Sequence, residues 1–178
     1  LAIAIAVLAT GSTAVLLLAL LMLVLDVGLL LSRLLRWPRI LSALRASKLR
    51  PLAGLLALLV SGYGISQGMA VPQPRQIDVA IKDLPAAFDG YRVLQLTDIH
   101  ASRLLTGDWV RRVVDESNAL KPDLIVITGD LIDGSVEARR DDARPLADLQ
   151  APDGVIAITG NHEYYAQYQQ WMQAFRAL

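Results

Sequence analysis

Apolar positions run almost without interruption from Leu1 to Leu31, where Asp26 is the only charge, and again from Pro51 to Ala70. A helix of about 20 apolar residues crosses the hydrocarbon core of a bilayer, so both stretches predict membrane spans. The first is long enough for two, with Gly11, Ser12 and Thr13 as the natural break. The pattern then reads as spans over residues 1–10, 14–31 and 51–70; one long tilted helix in place of the first two is the alternative. After Ala70 the character of the chain changes. A Pro-containing linker, residues 71–76, leads to Ile77, Val79 and Ile81, which alternate with polar or small neighbours and predict a half-exposed strand. Asp89-Gly90 marks the turn that follows.

Three segments with one plan come next. "YRVLQLT" is an apolar strand that ends in Asp98-Ile99-His100, and Val110, Val113 and Val114 then form an i, i+3, i+4 stripe on a helix starting near Asp108. "DLIVIT" ends in Gly129-Asp130 and is followed by a weaker helical stretch interrupted by Pro145. "GVIAIT" ends in Gly160-Asn161-His162, after which Tyr164, Tyr168, Trp171 or Met172, and Phe175 recur at helical spacing as a core stripe. Asp98 and Asp130 are 32 residues apart, and Asp130 and Asn161 are 31 apart. That matches the roughly 30 or more residues of a strand-helix-strand unit. Continuous apolar strands alternating with helices predict a parallel sheet covered on both faces. Right-handed crossovers bring the three strand tips to one edge, the edge at which open α/β sheets hold ligands.

Charge refines the layout. Ser32 to Arg50 carries Arg33, Arg36, Arg39, Arg45, Lys48 and Arg50 and no acid. Short basic loops stay on the cytoplasmic side, so the chain after about Val71 is expected outside the cytoplasm. Recognition of anionic lipid headgroups is a second use for such a loop, and setting topology is the simpler one. Asp26 is expected near a helix end, with little consequence. From Val71 onward, 11 basic residues face 16 acidic ones, a net charge of −5. A basic footprint for nucleic acid is missing, and with no cysteine in the chain disulfides and thiolate metal sites are excluded.

Parallel strands lie about 4.8 Å apart, so three adjacent tips deliver Asp98, His100, Asp130, Asn161 and His162 into a volume about 10 Å across. Taken as extended residues i and i+2, Asp98 and His100 point together while Ile99 turns into the sheet. Gly-Asp after a strand is by itself an ordinary turn, and Asn-His an ordinary cap followed by a surface histidine. The combination is not ordinary, because the chain's only two histidines both fall at these tips. Converging acids repel unless a cation lies among them, and this oxygen and imidazole set suits a divalent manganese, iron or zinc ion.

"TDIH", "TGDLIDG" and "TGNHEYY" resemble the first three motifs of the calcineurin-like metallophosphoesterases, and the tyrosines after Asn-His-Glu resemble their membrane-anchored bacterial branch. The resemblance covers about Ile77 to Leu178. It implies an α/β protein: N-terminal transmembrane helices, residues 1–70, then the first half of an αββα-type sandwich, residues 77–178, with parallel strands carrying metal ligands at their C-terminal tips. It further implies two divalent metal ions, with Asp98 and His100 on the first, Asp130 bridging, Asn161 on the second, and His162 as the catalytic residue facing the substrate phosphate. Glu163 stands where many relatives have Asp, a difference expected to matter little. The family completes its site with later histidines, including a Gly-His-x-His motif; their absence after His162 is attributed to truncation, which would leave this stretch with little activity by itself.

The implied activity is two-metal hydrolysis of a phosphomonoester or phosphodiester. Closeness to the bilayer favours a lipid or cell-envelope phosphoester, at a multi-pass bacterial inner-membrane protein. The rival reading is a non-catalytic membrane sensor or scaffold that keeps the fold. A transporter subunit has only Asp26 as a polar residue for a pathway.

Overall fold

The computed structural model describes residues 2–45 and 48–177. Leu1, Ala46, Ser47 and Leu178, which fall in the expected first span, the basic loop and the end of the catalytic domain, lie outside the described residues. The chain divides into two units, residues 1–70 and 71–178.

The first unit contains α1 (Ala2–Leu34), the short α2 (Pro38–Leu44) and α3 (Leu49–Gly68). Among the described residues, α1 and α3 are the helices long and apolar enough to cross a membrane. Helix α1 passes unbroken through Gly11, Ser12 and Thr13, which corrects the expected break there. The hydroxyls of Ser12 and Thr13 donate to the carbonyls of Leu8 and Ala9, each at 2.7 Å, so neither breaks the helix by competing for backbone elsewhere. A single internal glycine costs only about 1 kcal/mol. At about 1.5 Å per residue the helix is about 50 Å long, more than the roughly 30 Å hydrocarbon core. Helices α1 and α3 run antiparallel and meet through small side chains, with Ala14, Ala57 and Ser61 buried, the packing that lets apolar helices approach closely. Asp26 has a definite partner at this contact: Arg50, in the first turn of α3, donates to its carboxylate at 2.8 Å.

The second unit alternates strand and helix: β1 (Val93–Leu96), α4 (Gly107–Ala119), β2 (Leu124–Ile127), α5 (Val136–Ala143), β3 (Val155–Ala157), α6 (Asn161–Tyr165) and α7 (Tyr168–Arg176). The strands pair in parallel in the order β1-β2-β3, with Leu96 opposite Ile127 and Ile127 opposite Ala157. The α4 stripe is as the spacing predicts: Val110, Val113 and Val114 are buried against Ile125 and Ile127 of β2. Pro145 ends α5, since it lacks an N–H and clashes with the preceding turn, and the chain continues as a 3-10 turn, Arg144–Asp148. Tyr91 donates to Asp153 at 2.6 Å, fastening the entry of β1 to the turn before β3. This hydrogen bond to a carboxylate pushes the phenol up to about 12.

Three expectations are corrected. Residues 77–81 form no strand, and Ile77, Val79 and Ile81 are exposed, because none of the described strands lies alongside to take their hydrogen bonds. Among the described residues of this unit, the sheet is covered on one face only. Residues of α4, Ala143 of α5 and Leu146 after it join one core with Ile125 and Ile127, while Val93 and Ile156, alternating to the other side, are exposed. Strands laid down in sequential order by right-handed crossovers put every connecting helix on the same side; covering both faces requires the order to reverse, which these three strands do not do. The final aromatic stripe is split, since left-handed Gln167 separates α6 from α7. Trp171 is buried, whereas Tyr164 is 60% exposed.

Candidate metal centre

All three strands end at one edge, and the backbone there is unusual. Asp98 (φ 54°), His100 (φ 46°) and Asp130 (φ 54°) adopt the left-handed conformation, which Asp and His tolerate better than most non-glycine residues. Asp98 and His100 therefore share a direction through two left-handed bends, not through the extended i, i+2 geometry expected. Ile99 between them is buried in the core, as its apolar side chain requires. The bends are held by neighbours: His100 N–H donates to the Asp130 carbonyl and Ala101 N–H to that of Leu131, both at 2.9 Å. Gly129 (φ 99°) packs directly on the backbone of Gly160, and a Cβ on Gly160 would overlap Asp130 Oδ1. The β2 and β3 tips thus come closer than any side chain at these two positions allows.

His100, Asp130 and His162 offer ligand atoms that all lie within 4.8 Å of one another. His100 Nε2 is 3.8 Å from Asp98 Oδ1 and 3.9 Å from Asp130 Oδ2. These separations are too long for hydrogen bonds. They leave these donors close enough that one cation, with metal–ligand bonds of about 2.0–2.2 Å, would reach them together. Three carboxylates, Asp98, Asp130 and Asp133, gather at this edge, and a divalent ion offsets their mutual repulsion. The donor set therefore fits the divalent metal that the motifs imply.

Asp133 is the residue that sequence reasoning missed. Its Oδ1 lies 3.0 Å from His100 Nδ1 and 2.5 Å from His162 Nδ1, so one carboxylate oxygen accepts from both rings. The rings meet edge to face with centroids 4.3 Å apart. With each Nδ1 carrying a proton toward Asp133, each Nε2 lone pair is left for a cation or a proton. The signal was present in "DLID": Asp133 follows Asp130 by three residues. Replacing it by Asn keeps an oxygen that can accept from both rings but removes the shared negative charge. We expect Asp133→Asn to lower divalent-metal affinity about 10- to 100-fold, the usual cost of losing a group that orients a ligand, as read by calorimetric titration with Mn2+.

The other expected residues are placed as follows. Asp98 is 61% exposed at its side chain and accepts from Thr97 Oγ1 at 2.5 Å. Asn161 opens α6 with an exposed side chain that has no hydrogen-bond partner among the described residues. It sits between Gly160, packed on Asp130, and His162, whose N–H donates to Asp130 Oδ1 at 2.9 Å. Glu163 is fully buried and accepts from the N–H groups of Gly160 at 2.7 Å, Leu131 at 2.7 Å and Asp130 at 3.2 Å.

Residues 91–178 match the model of the calcineurin-like phosphoesterase family. The chain is 30% identical over 128 residues to a transmembrane protein with metallophosphoesterase domain of Danio rerio, covering 71% of this chain and 29% of that protein. It is 35% identical over 113 residues to an uncharacterized metallophosphoesterase of Helicobacter pylori, covering 62% of this chain and 29% of the relative. With the uncharacterized metallophosphoesterase YkuE of Bacillus subtilis it shares 35% identity over 107 residues, covering 58% and 37% of the two chains. The chain spans about three tenths of the length of the first two relatives. No solved structure matches it. Strand tips that converge on a divalent-metal donor set and the matched segment are the same stretch of sequence, and residues 91–178 are a domain of the calcineurin-like metallophosphoesterase family.

Proposed function

We propose that the protein is a membrane-anchored, metal-dependent phosphoesterase that hydrolyses a phosphomonoester or phosphodiester. The observation that carries this reading is the convergence of His100, Asp130 and His162 within 4.8 Å. In this reading Asp98, His100, Asp130 and Asn161 hold two divalent ions of the manganese, iron or zinc kind. Such ions supply Lewis-acid charge to phosphoryl oxygens and lower the pKa of water toward about 7. The chain's own contribution is geometry and a proton. In this reading Asp130 would serve both sets of ligands, and His162 would deliver a proton from Nε2 to the leaving oxygen. Asp133, on His162 Nδ1, fixes the ring's tautomer and orientation.

Location bears on substrate. Helices α1 and α3 anchor the chain, and the basic loop Ser32–Arg50 supports a cytoplasmic connection between them, with the phosphoesterase domain outside the cytoplasm. In a bacterium that is the outer side of the inner membrane, where lipid and cell-envelope phosphoesters are the available substrates. The test is metal analysis of the full-length protein in detergent together with turnover of aryl phosphate mono- and diesters. Activity should disappear on chelation and return with Mn2+, Fe2+ or Zn2+. Metal bound without turnover of either ester class would favour a sensor or scaffold; absence of bound metal would reject the centre itself.

A further inference from the structure

We propose that Glu163 is a positioning residue of the metal centre, setting the distance between Asp130 and the Asn161-His162 pair. The inference rests on reading the cluster as a metal site. Regular pairing of β2 with β3 ends where Ile158 N–H donates to the Ile127 carbonyl at 2.9 Å. Past that point the two chains carry the ligands, and a side chain takes over from the sheet. Glu163 Oε1 accepts from Leu131 N–H, and Oε2 accepts from both Asp130 N–H and Gly160 N–H. Two of these donors follow β2 and one follows β3, so the carboxylate bridges the tips.

A carboxylate with no exposed surface is costly to bury unless hydrogen bonds compensate, and three backbone donors supply them in charge-assisted form. The bond to Gly160 also caps α6, since Glu163 is the third residue of that helix and reaches back to the residue before it. One side chain therefore fixes three things: the left-handed turn at Asp130, the start of the helix bearing Asn161 and His162, and the spacing between them. The close packing of Gly129 on Gly160 permits this spacing, and Glu163 holds it. Its contacts leave both oxygens facing backbone N–H groups, so it acts on the metal only through the residues it places.

The test compares Glu163→Gln and Glu163→Asp with the unaltered full chain. Glutamine keeps the shape, but its NH2 cannot accept, so at least one N–H loses its partner. We expect E163Q to bind Mn2+ about 10- to 100-fold more weakly by calorimetry, in line with other residues that orient ligands. E163D, which keeps an acceptor-only carboxylate, should recover most of that affinity. Wild-type affinity in E163Q, or an E163D as impaired as E163Q, would overturn the proposal while leaving the metal centre intact. A wild-type chain that binds no Mn2+ would instead reject the metal reading and this inference with it. Should E163Q fail to fold, amide hydrogen exchange in the unaltered protein decides: Asp130, Leu131 and Gly160 should be protected with or without Mn2+. Exchange at the rate of an exposed loop would show that the bridge is absent.

Discussion

Asp130→Asn loses metal and turnover together, each by more than about 100-fold, a larger effect than that of removing a group which merely orients a ligand. Asp130 is where the two halves of the site meet. Its Oδ2 lies 3.9 Å from His100 Nε2, its Oδ1 accepts from His162 N–H at 2.9 Å, and its side chain is 14% exposed. Asparagine is nearly isosteric and its oxygen still accepts from His162, so the backbone at the tip is retained. What disappears is the negative charge that draws in a cation. The same change removes one of three carboxylates from a crowded edge, so without metal the variant should unfold at the wild-type temperature or slightly above it. Calorimetric titration with Mn2+, thermal unfolding in chelator and turnover of an aryl phosphate measure the three effects. A variant that binds metal normally would remove Asp130 from the ligand set.

His162→Ala is expected to lower turnover about 10²- to 10⁴-fold, the range for loss of a positioned general acid, while metal content stays at the wild-type level. Its Nδ1 is engaged by Asp133 at 2.5 Å, which leaves Nε2 to deliver a proton. The deficit should depend on the leaving group. A nitrophenolate departs without much help, whereas an alkoxide needs the proton, so the loss should be greater for an alkyl phosphoester than for a nitrophenyl one. Comparing the two substrates in wild type and variant checks this directly. Metal loss equal to that of Asp130→Asn would make His162 a ligand, a role that its closeness to His100 and Asp130 also permits.

The parallel strands, the α4 stripe and the common edge were legible because each rests on a short-range pattern: apolar runs, 3.6-residue spacing and polar donor residues just past each strand, Asp98 and His100, then Asp130, then Asn161 and His162. What escaped depends on relations between segments. Asp133 was not singled out in the sequence, and its place at the site shows only in the structure, where both imidazoles meet one of its oxygens. Glu163, noted in the sequence only for standing where many relatives have Asp, is a buried bridge between two strand tips, and no local pattern distinguishes that from a solvated acid on a helix. Asp98 and His100 were grouped correctly on an incorrect backbone geometry, since left-handed bends are set by hydrogen bonds from the neighbouring strand. Ile77, Val79 and Ile81 have strand-like alternation, but alternation describes one segment whereas a strand needs two. The uninterrupted α1 teaches the converse: in an apolar setting, Ser and Thr close their hydroxyls onto the preceding turn, and punctuation that would end a soluble helix does not end this one.

The three left-handed residues at the rim carry a further implication. Each conformation is one that the chain adopts at some energetic expense, on the order of 1–3 kcal/mol, and each is maintained by hydrogen bonds within the protein, between peptide groups and to the Glu163 carboxylate. The socket is therefore cut before anything enters it. A cation arriving there has water to shed but little protein to rearrange, so stripping and reloading should be rapid and repeatable, and the empty and filled forms should share nearly the same outline.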